Sequence, residues 1–214
     1  HLGTFLAATW YLRDDVIAIL KILLTPYRLL ERGEGILRVQ RKKGELENMI
    51  RFLILSTFIS GVIGFFLLEI ALPVIEQQVA FTSKVITIIV GVLLLGTAAM
   101  QLQAKRKRKK QQKEIDDLKD RDGVLLGVVQ GFSALPGFSR SGLTISALLL
   151  RNYNETAALR LSFLMSLPIV LGGNILLNAK DGFTLGITPI IGSIFAFFLG
   201  IFTIHLLFKI ARKV

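Results

Sequence analysis

The chain has 214 residues, of which 52% are hydrophobic, 26 are Lys or Arg and 15 are Asp or Glu. Its mean hydropathy of +0.61 excludes a typical soluble domain, so the hydropathy pattern decides the class of protein. Cysteine is absent, which excludes disulfides, thiolate metal sites and a cysteine nucleophile.

The basic residues that give the net charge of +11 are concentrated in two stretches. Nine lie within residues 105–121 and seven within 28–51, and apolar segments flank both stretches. Placement of these stretches on cytoplasmic loops explains the pattern, with contact to anionic membrane lipids as the alternative. No aromatic residue is interleaved with the lysines of 105–121, so we expect no nucleic-acid partner.

Four apolar segments are nearly free of charge, and each approaches the ~20 residues that cross a bilayer. They are residues 52–68, 85–102, 161–177 and 185–208. The sequence therefore predicts an all-α, polytopic membrane protein in which residues 1–214 form one transmembrane domain. The two basic stretches predict cytoplasmic loops at 26–51 and 103–122.

Residues 123–150 are mostly apolar but must leave the cytoplasm and return to it, because charged segments on both sides are placed inside. Two half-length helices at about 124–133 and 141–150, joined by a Pro-Gly turn, satisfy this requirement and predict a re-entrant hairpin. Irregular backbone at membrane depth is tolerated only where it is buried in protein or lines a water-filled cavity. The stretch LPGFSRSGLT at 135–144 is therefore either packed away or facing a cavity.

The polar residues of this turn predict an anion site. Ser139 is in place to cap the second half-helix, whose N-terminus presents unpaired N–H groups and a positive dipole end. Arg140 adds a planar fork that suits phosphate oxygens. Ser141 and Thr144 add hydroxyls on a similar face of the helix. Phosphate or pyrophosphate is the anion that these donors favour.

Gly137 and Gln130 complete the candidate set. Gly137 permits a left-handed backbone or a close approach to a neighbour, and Gln130 on the first half-helix is a candidate to face the same cavity. The structural alternative is an ordinary turn with an arginine that extends to the interface. An ionisable group inside a hairpin is costly and usually functional, which favours the anion site.

The same residues resemble a known family. PGFSRSGLT at 136–144 fits the PGxSRSxxT signature of the undecaprenyl-diphosphate phosphatases, also called bacitracin-resistance proteins. GVVQGFSALPGFSRSG, ETAALRLSFLMSLPIVLGG at 155–173 and HLGTFLAATWYLRDDV at 1–16 are also similar to that family. The resemblance therefore covers essentially the whole chain.

The resemblance implies a multi-pass enzyme of the cell membrane that hydrolyses the terminal phosphate of a polyprenyl (undecaprenyl) diphosphate and so recycles the lipid carrier of cell-wall glycan synthesis. It also implies an inverted-repeat helical bundle with two re-entrant hairpins, and a divalent cation, Mg²⁺ or Ca²⁺. Arginine clamps the pyrophosphate in this family, with hydroxyls as supporting ligands. We therefore assign catalytic roles to Arg140, Ser139 and Ser141, and substrate-binding roles to Gly137, Thr144 and Gln130.

One part of the family pattern has no match in this sequence: the hairpin with a glutamate-rich motif and a serine-serine-glycine-histidine stretch. We therefore interpret the chain as an internal fragment without the N-terminal catalytic hairpin, expect it not to turn over alone, and assign no metal ligand in it. The alternative function is a membrane transporter or flippase that binds an anionic lipid head group without chemistry. Polyprenol length, the side of the membrane that the site faces and oligomeric state stay open, a homodimer included.

Overall fold

The computed structural model describes residues 2–24, 36–71, 73, 83–107, 112–181 and 187–212. Within this part of the chain there are eight α-helices and no β-strand. The helices are α1 Leu2–Tyr11, α2 Arg13–Leu24, α3 Ile36–Phe66, α4 Ser83–Arg106, α5 Asp120–Phe132, α6 Arg140–Leu150, α7 Glu155–Asp181 and α8 Ile187–Ala211. A π-helical turn, Leu67–Ala71, continues α3, and a 3₁₀ turn, Ile115–Asp117, precedes α5. The predicted all-α class is confirmed.

Four of these helices are long and apolar enough to cross a membrane. The spans are Gly44–Ile70, Lys84–Arg106, Glu155–Ile175 and Pro189–Ala211. Large apolar side chains on them, such as Phe58, Leu95 and Phe195, are exposed. Hydrocarbon rather than water suits such surfaces, and the predicted multi-pass membrane protein is confirmed.

Two helices begin six or more residues before the predicted spans. Helix α3 begins at Ile36 within the predicted loop 26–51, because residues 36–51 are charged yet contain no proline and are mostly good helix formers. Residues 25–35 of that loop lie outside the described part of the chain. Helix α7 begins at Glu155, six residues before the predicted span, because the Asn154 side chain accepts from the Ala157 amide at 2.7 Å. The cytoplasmic placement of both loops stays a prediction.

The helices divide into two compact units. One contains residues 1–50 and 163–214, and the other contains residues 51–162. In the first unit α1 packs along α8, where Gly200 lies against Ala7. The absence of a side chain at Gly200 lets the two backbones approach closely, as is common between membrane helices.

In the second unit, helix α5 packs on α3 through Gly123, Gly127 and Gly131, which lie four residues apart. A Cβ at Gly127 would lie 2.8 Å from the Cβ of Ile59, and a Cβ at Gly131 would lie 2.6 Å from the Cβ of Ile63. Any larger residue at these positions would push α5 away from α3. This glycine stripe therefore holds the first arm of the hairpin against α3.

Helices α5 and α6 form the hairpin itself and pack on one another. They have 13 and 11 residues. At about 1.5 Å per residue, neither reaches the ~30 Å of a bilayer core. Both predicted half-helices are present, with α5 beginning at Asp120 rather than at 124. The re-entrant placement of the hairpin in the membrane, like the inverted repeat, stays a prediction.

Candidate active site

The turn between α5 and α6 needs glycine at position 137. Gly137 has φ +107°, a conformation that side chains disfavour. A Cβ there would lie 2.8 Å from the Cα of Val90 and 3.0 Å from its carbonyl oxygen. Both properties predicted for Gly137, the left-handed backbone and the close approach, are therefore confirmed, and α4 is the neighbour.

The contact with Val90 fixes the level of the turn along α4. Val90 lies six residues after Lys84, the first residue of the α4 span, which corresponds to about 9 Å along the helix. Helix α6 also packs against α4, since a Cβ at Gly142 would lie 2.7 Å from the Cγ2 of Thr97. The turn therefore lies beside the apolar part of α4.

Ser139 caps helix α6 as predicted. Its backbone is extended, with φ −80° and ψ 110°, and its Oγ accepts from the Gly142 amide at 3.2 Å. The Leu143 amide donates to the Ser139 carbonyl at 2.8 Å. The amides of Arg140 and Ser141 have no hydrogen-bond acceptor among the described residues. The helix thus begins with two unpaired donors, the usual condition for binding an anion.

Arg140 is the first residue of α6, and its side chain is half-buried. Within the described ranges its guanidinium has neither an ion pair nor a hydrogen-bond partner. Ser141 follows it with an exposed hydroxyl that is likewise unpaired in the described part of the chain. A half-desolvated cation beside free amides and a free hydroxyl can bind a multiply charged anion.

Thr144 lies one helical turn further and is fully buried. Its Oγ1 donates to the Arg140 carbonyl at 2.9 Å and lies 2.7 Å from the Oγ of Ser162 on α7. The carbonyl of Ser141 lies at 3.4 Å. This environment changes the role that we propose for Thr144, from direct contact with substrate to support of the helix that carries Arg140.

Gln130 is also buried, in the contact between α5 and α3. Its Nε2 donates to the Oγ of Ser60 at 3.2 Å, and that hydroxyl donates to the Thr57 carbonyl at 3.1 Å. The amide of Gln130 therefore fastens the first arm of the hairpin. Its predicted role in binding substrate stays a prediction, with this packing role beside it.

No sequence pattern predicted the buried carboxylate at the open end of the hairpin, where α5 begins and α6 ends. Asp122 is 0% exposed, and its Oδ1 accepts from the Arg151 Nε at 2.7 Å. Its Oδ2 accepts from the Tyr153 hydroxyl at 2.8 Å and from the Lys119 amide at 3.2 Å. Burial, and then the hydrogen bond to Asp122, raise the pKa of Tyr153 well above its usual value. This cluster ties the start of α5 to the end of α6.

The groups at the turn suit an anion rather than a cation. Arginine, amide N–H groups and hydroxyls are donors, whereas Mg²⁺ and Ca²⁺ require oxygen ligands, mostly carboxylates. Among the described residues, no three His, Cys, Asp or Glu side chains are grouped to hold a metal ion. The described site therefore does not fit a metal ion.

Comparison with known proteins gives a consistent result. The profile of the family described as "Bacitracin resistance protein BacA" matches residues 1–214. The undecaprenyl-diphosphatase of Methanococcoides burtonii is 37% identical over 219 residues, which cover 100% of this chain and 74% of that protein. The undecaprenyl-diphosphatases of Alkaliphilus metalliredigens and Haloarcula marismortui are 32% and 34% identical, again over 100% of this chain and over 74% and 73% of theirs.

Proposed function

The chain belongs to the bacitracin resistance protein BacA family, and on that premise we propose that the donors at its hairpin turn hold the diphosphate of a polyprenyl lipid. The function is that of an undecaprenyl-diphosphatase: it removes the terminal phosphate of undecaprenyl diphosphate and so returns the lipid carrier to cell-wall glycan synthesis. The enzyme is a multi-pass protein of the cell membrane.

The observation that carries the proposed site is the unpaired Arg140 at the start of α6. Removing part of a charge from water has a cost that a carboxylate partner can offset, yet none of the described acidic residues pairs with the half-buried Arg140. The free amides of Arg140 and Ser141 and the hydroxyl of Ser141 lie in the same helical turn. A bound diphosphate would supply the missing negative charge.

These donors also suit the chemistry of phosphate release. Hydrolysis breaks the bond between the bridging oxygen and the terminal phosphorus, while a water oxygen forms a new bond to that phosphorus. Negative charge then develops on the bridging oxygen and spreads over the terminal phosphoryl oxygens. We propose that the guanidinium of Arg140 and the amides of the first turn stabilise that charge, because they are fixed before the reaction begins.

The location of the turn agrees with a lipid substrate. The turn lies against Val90 in the apolar part of α4, and exposed apolar side chains cover the spans. The prenyl tail can stay in hydrocarbon while only the head group reaches the polar turn. The apolar surroundings of the turn therefore favour a diphosphate with a prenyl chain over one without it.

A metal requirement is compatible with a phosphatase of this family. The resemblance implies Mg²⁺ or Ca²⁺, and we propose that the donors at the turn are not its ligands. The described residues offer it no ligand cluster, so we assign the charge stabilisation described above to Arg140 and the helix N-terminus. A homodimer stays a prediction, which light scattering of the purified protein would test.

The proposal can be tested by replacing Arg140 in the purified product of the complete gene. With undecaprenyl diphosphate in detergent, we expect the wild type to release inorganic phosphate and Arg140→Ala to be about 10³-fold slower, since removal of one preorganised donor costs about 10²–10³. Arg121→Ala is the matched control, because Arg121 is exposed on the first turn of α5 in the same hairpin. It should keep its rate within about two-fold, as expected for an exposed side chain.

The outcomes of this experiment distinguish a phosphatase from a transporter or flippase. If Arg140→Ala folds and retains a near-normal rate, Arg140 does not belong to the site. If the wild type binds the lipid diphosphate and releases no phosphate, a transporter or flippase that recognises the head group becomes the better interpretation. Melting temperature in detergent, compared among the three proteins, excludes misfolding as the cause of a lost rate.

A further inference from the structure

Arg140 is connected to helix α7 by two buried hydroxyls. The carbonyl of Arg140 accepts from the Oγ1 of Thr144 at 2.9 Å, and that atom lies 2.7 Å from the Oγ of Ser162. Thr144 is fully buried and Ser162 is 5% exposed, so water does not compete for these bonds. A chain of polar contacts therefore runs from α7 to the backbone of the residue that carries the guanidinium.

The direction of the two bonds follows from the number of protons. A threonine hydroxyl has one proton to donate, and the carbonyls of Arg140 and Ser141 near Thr144 can only accept. The Ser162 hydroxyl has no other acceptor among the described residues. Ser162 therefore donates to Thr144, and Thr144 donates to Arg140.

We propose that Ser162 is a positioning residue, which acts through Thr144 to hold the first turn of α6 in the geometry that binds the diphosphate. The first turn of a helix is held by fewer backbone hydrogen bonds than the interior, because its amides lack helical partners. No ion pair within the described residues holds the Arg140 side chain, so the helix backbone sets its position. The inference rests on the proposed function, since it concerns the same site.

The chain offers a matched control for Ser162 on the same helix. Ser166 lies four residues further along α7 and is half-buried, and its Oγ donates at 2.7 Å to the carbonyl of Phe163 in its own helix. Ser162→Ala and Ser166→Ala each remove one hydroxyl from α7. Only Ser162→Ala removes a bond that leads to Arg140.

The test compares four variants in the product of the complete gene, with phosphate release from undecaprenyl diphosphate as the readout. We expect Ser162→Ala to lower kcat/KM about ten-fold, the factor that one buried hydrogen bond can contribute. Thr144→Val, which keeps the shape and removes the hydroxyl, should lower it at least as much. Thr144→Ser, which keeps the hydroxyl, should be faster than Thr144→Val, and Ser166→Ala should stay within about three-fold of the wild type.

The double variant Ser162→Ala with Thr144→Val shows whether Ser162 acts through Thr144. If it does, the double variant is no slower than Thr144→Val alone, because Thr144→Val already removes the hydroxyl through which Ser162 reaches Arg140. If the two losses multiply, the proposed connection is wrong. Equal rates for Ser162→Ala and Ser166→Ala would also overturn the inference.

Binding of inorganic pyrophosphate, measured by calorimetry, distinguishes failure of this inference from failure of the proposed function. We expect Ser162→Ala to bind pyrophosphate about ten-fold more weakly than Ser166→Ala at equal melting temperature. A wild type that releases no phosphate refutes the proposed function, and the binding comparison still decides the role of Ser162. Equal pyrophosphate affinity in the two variants refutes that role whether or not the enzyme is active.

Discussion

The two ends of the α5–α6 hairpin each carry an arginine, and their surroundings are opposite. At the open end, Arg151 donates to the buried carboxylate of Asp122 at 2.7 Å. The second oxygen of that carboxylate accepts from Tyr153 and Lys119. At the turn, Arg140 has no partner among the described residues.

This difference indicates that the open end of the hairpin has a structural role and that the turn has a functional role. At the open end the donors and acceptors of the cluster pair with one another, as buried polar groups normally do. The turn presents donors without acceptors, although a half-buried cation without a partner lowers stability. Such a cost is explained when a ligand supplies the acceptors. We therefore expect substitutions at the open end to change stability and substitutions at the turn to change activity.

Replacement of each arginine by lysine should give the largest contrast between the two ends. Lysine keeps the charge and loses the planar fork that binds two oxygens together. We expect Arg140→Lys to slow phosphate release about 10²-fold, at the lower end of the loss of a preorganised donor. Arg151→Lys should leave the rate within about three-fold and lower the free energy of unfolding by about 1 kcal/mol.

Both variants should be assayed at saturating and at low substrate, so that kcat and kcat/KM are obtained separately. Loss of kcat in Arg140→Lys indicates a contact that strengthens in the transition state. The comparison fails if Arg151→Lys is the slower enzyme, or if Arg140→Lys loses stability and keeps its rate.

Removal of the buried charge at the open end should give a smaller effect, and on stability rather than rate. Asp122→Asn leaves Arg151 without a counter-ion in a cluster whose carboxylate is fully buried. We expect the free energy of unfolding to fall by about 2 kcal/mol, less than for a fully buried ion pair, because the Arg151 side chain is 38% exposed.

Asp120→Asn is the matched control, because Asp120 also pairs with an arginine, Arg51, from the same turn of α5. The side chains of that pair are 62% and 52% exposed, so its loss should cost less than about 1 kcal/mol. Chemical denaturation in mixed micelles measures both changes. Equal losses in the two variants would show that burial of Asp122 adds nothing.

The sequence predicted those parts of the hairpin that depend on neighbouring residues. The cap at Ser139 and the glycine at 137 follow from local backbone chemistry, and the structure confirms both. The partners of Thr144 and Gln130 did not follow, because Ser162 and Ser60 come from other helices. Hydrogen bonds between such distant positions depend on tertiary packing, which no local pattern encodes.

Two further features show what a sequence pattern can and cannot provide. Asp122 and Arg151 are 29 residues apart, and nothing in their local sequence marks them as a pair. By contrast, the contact of α5 with α3 has a signal in the sequence, since Gly123, Gly127 and Gly131 recur every four residues. That spacing is typical of close packing between membrane helices and identifies the contact face of α5.

Tyr153, which lies between α6 and α7 outside the spans, should contribute less to stability than Asp122 does. Tyr153→Phe removes one hydrogen bond to Asp122, which should cost about 1.5 kcal/mol at neutral pH. The raised pKa of Tyr153 adds a test at alkaline pH. The folded state keeps this hydroxyl protonated, so the stabilisation is fully present below the unfolded pKa of about 10 and is lost as pH rises above it, by about 1.4 kcal/mol per unit. Wild type should therefore lose stability between about pH 10 and 11.5 more steeply than Tyr153→Phe, and equal slopes would mean that the hydroxyl is not held by the Asp122 cluster.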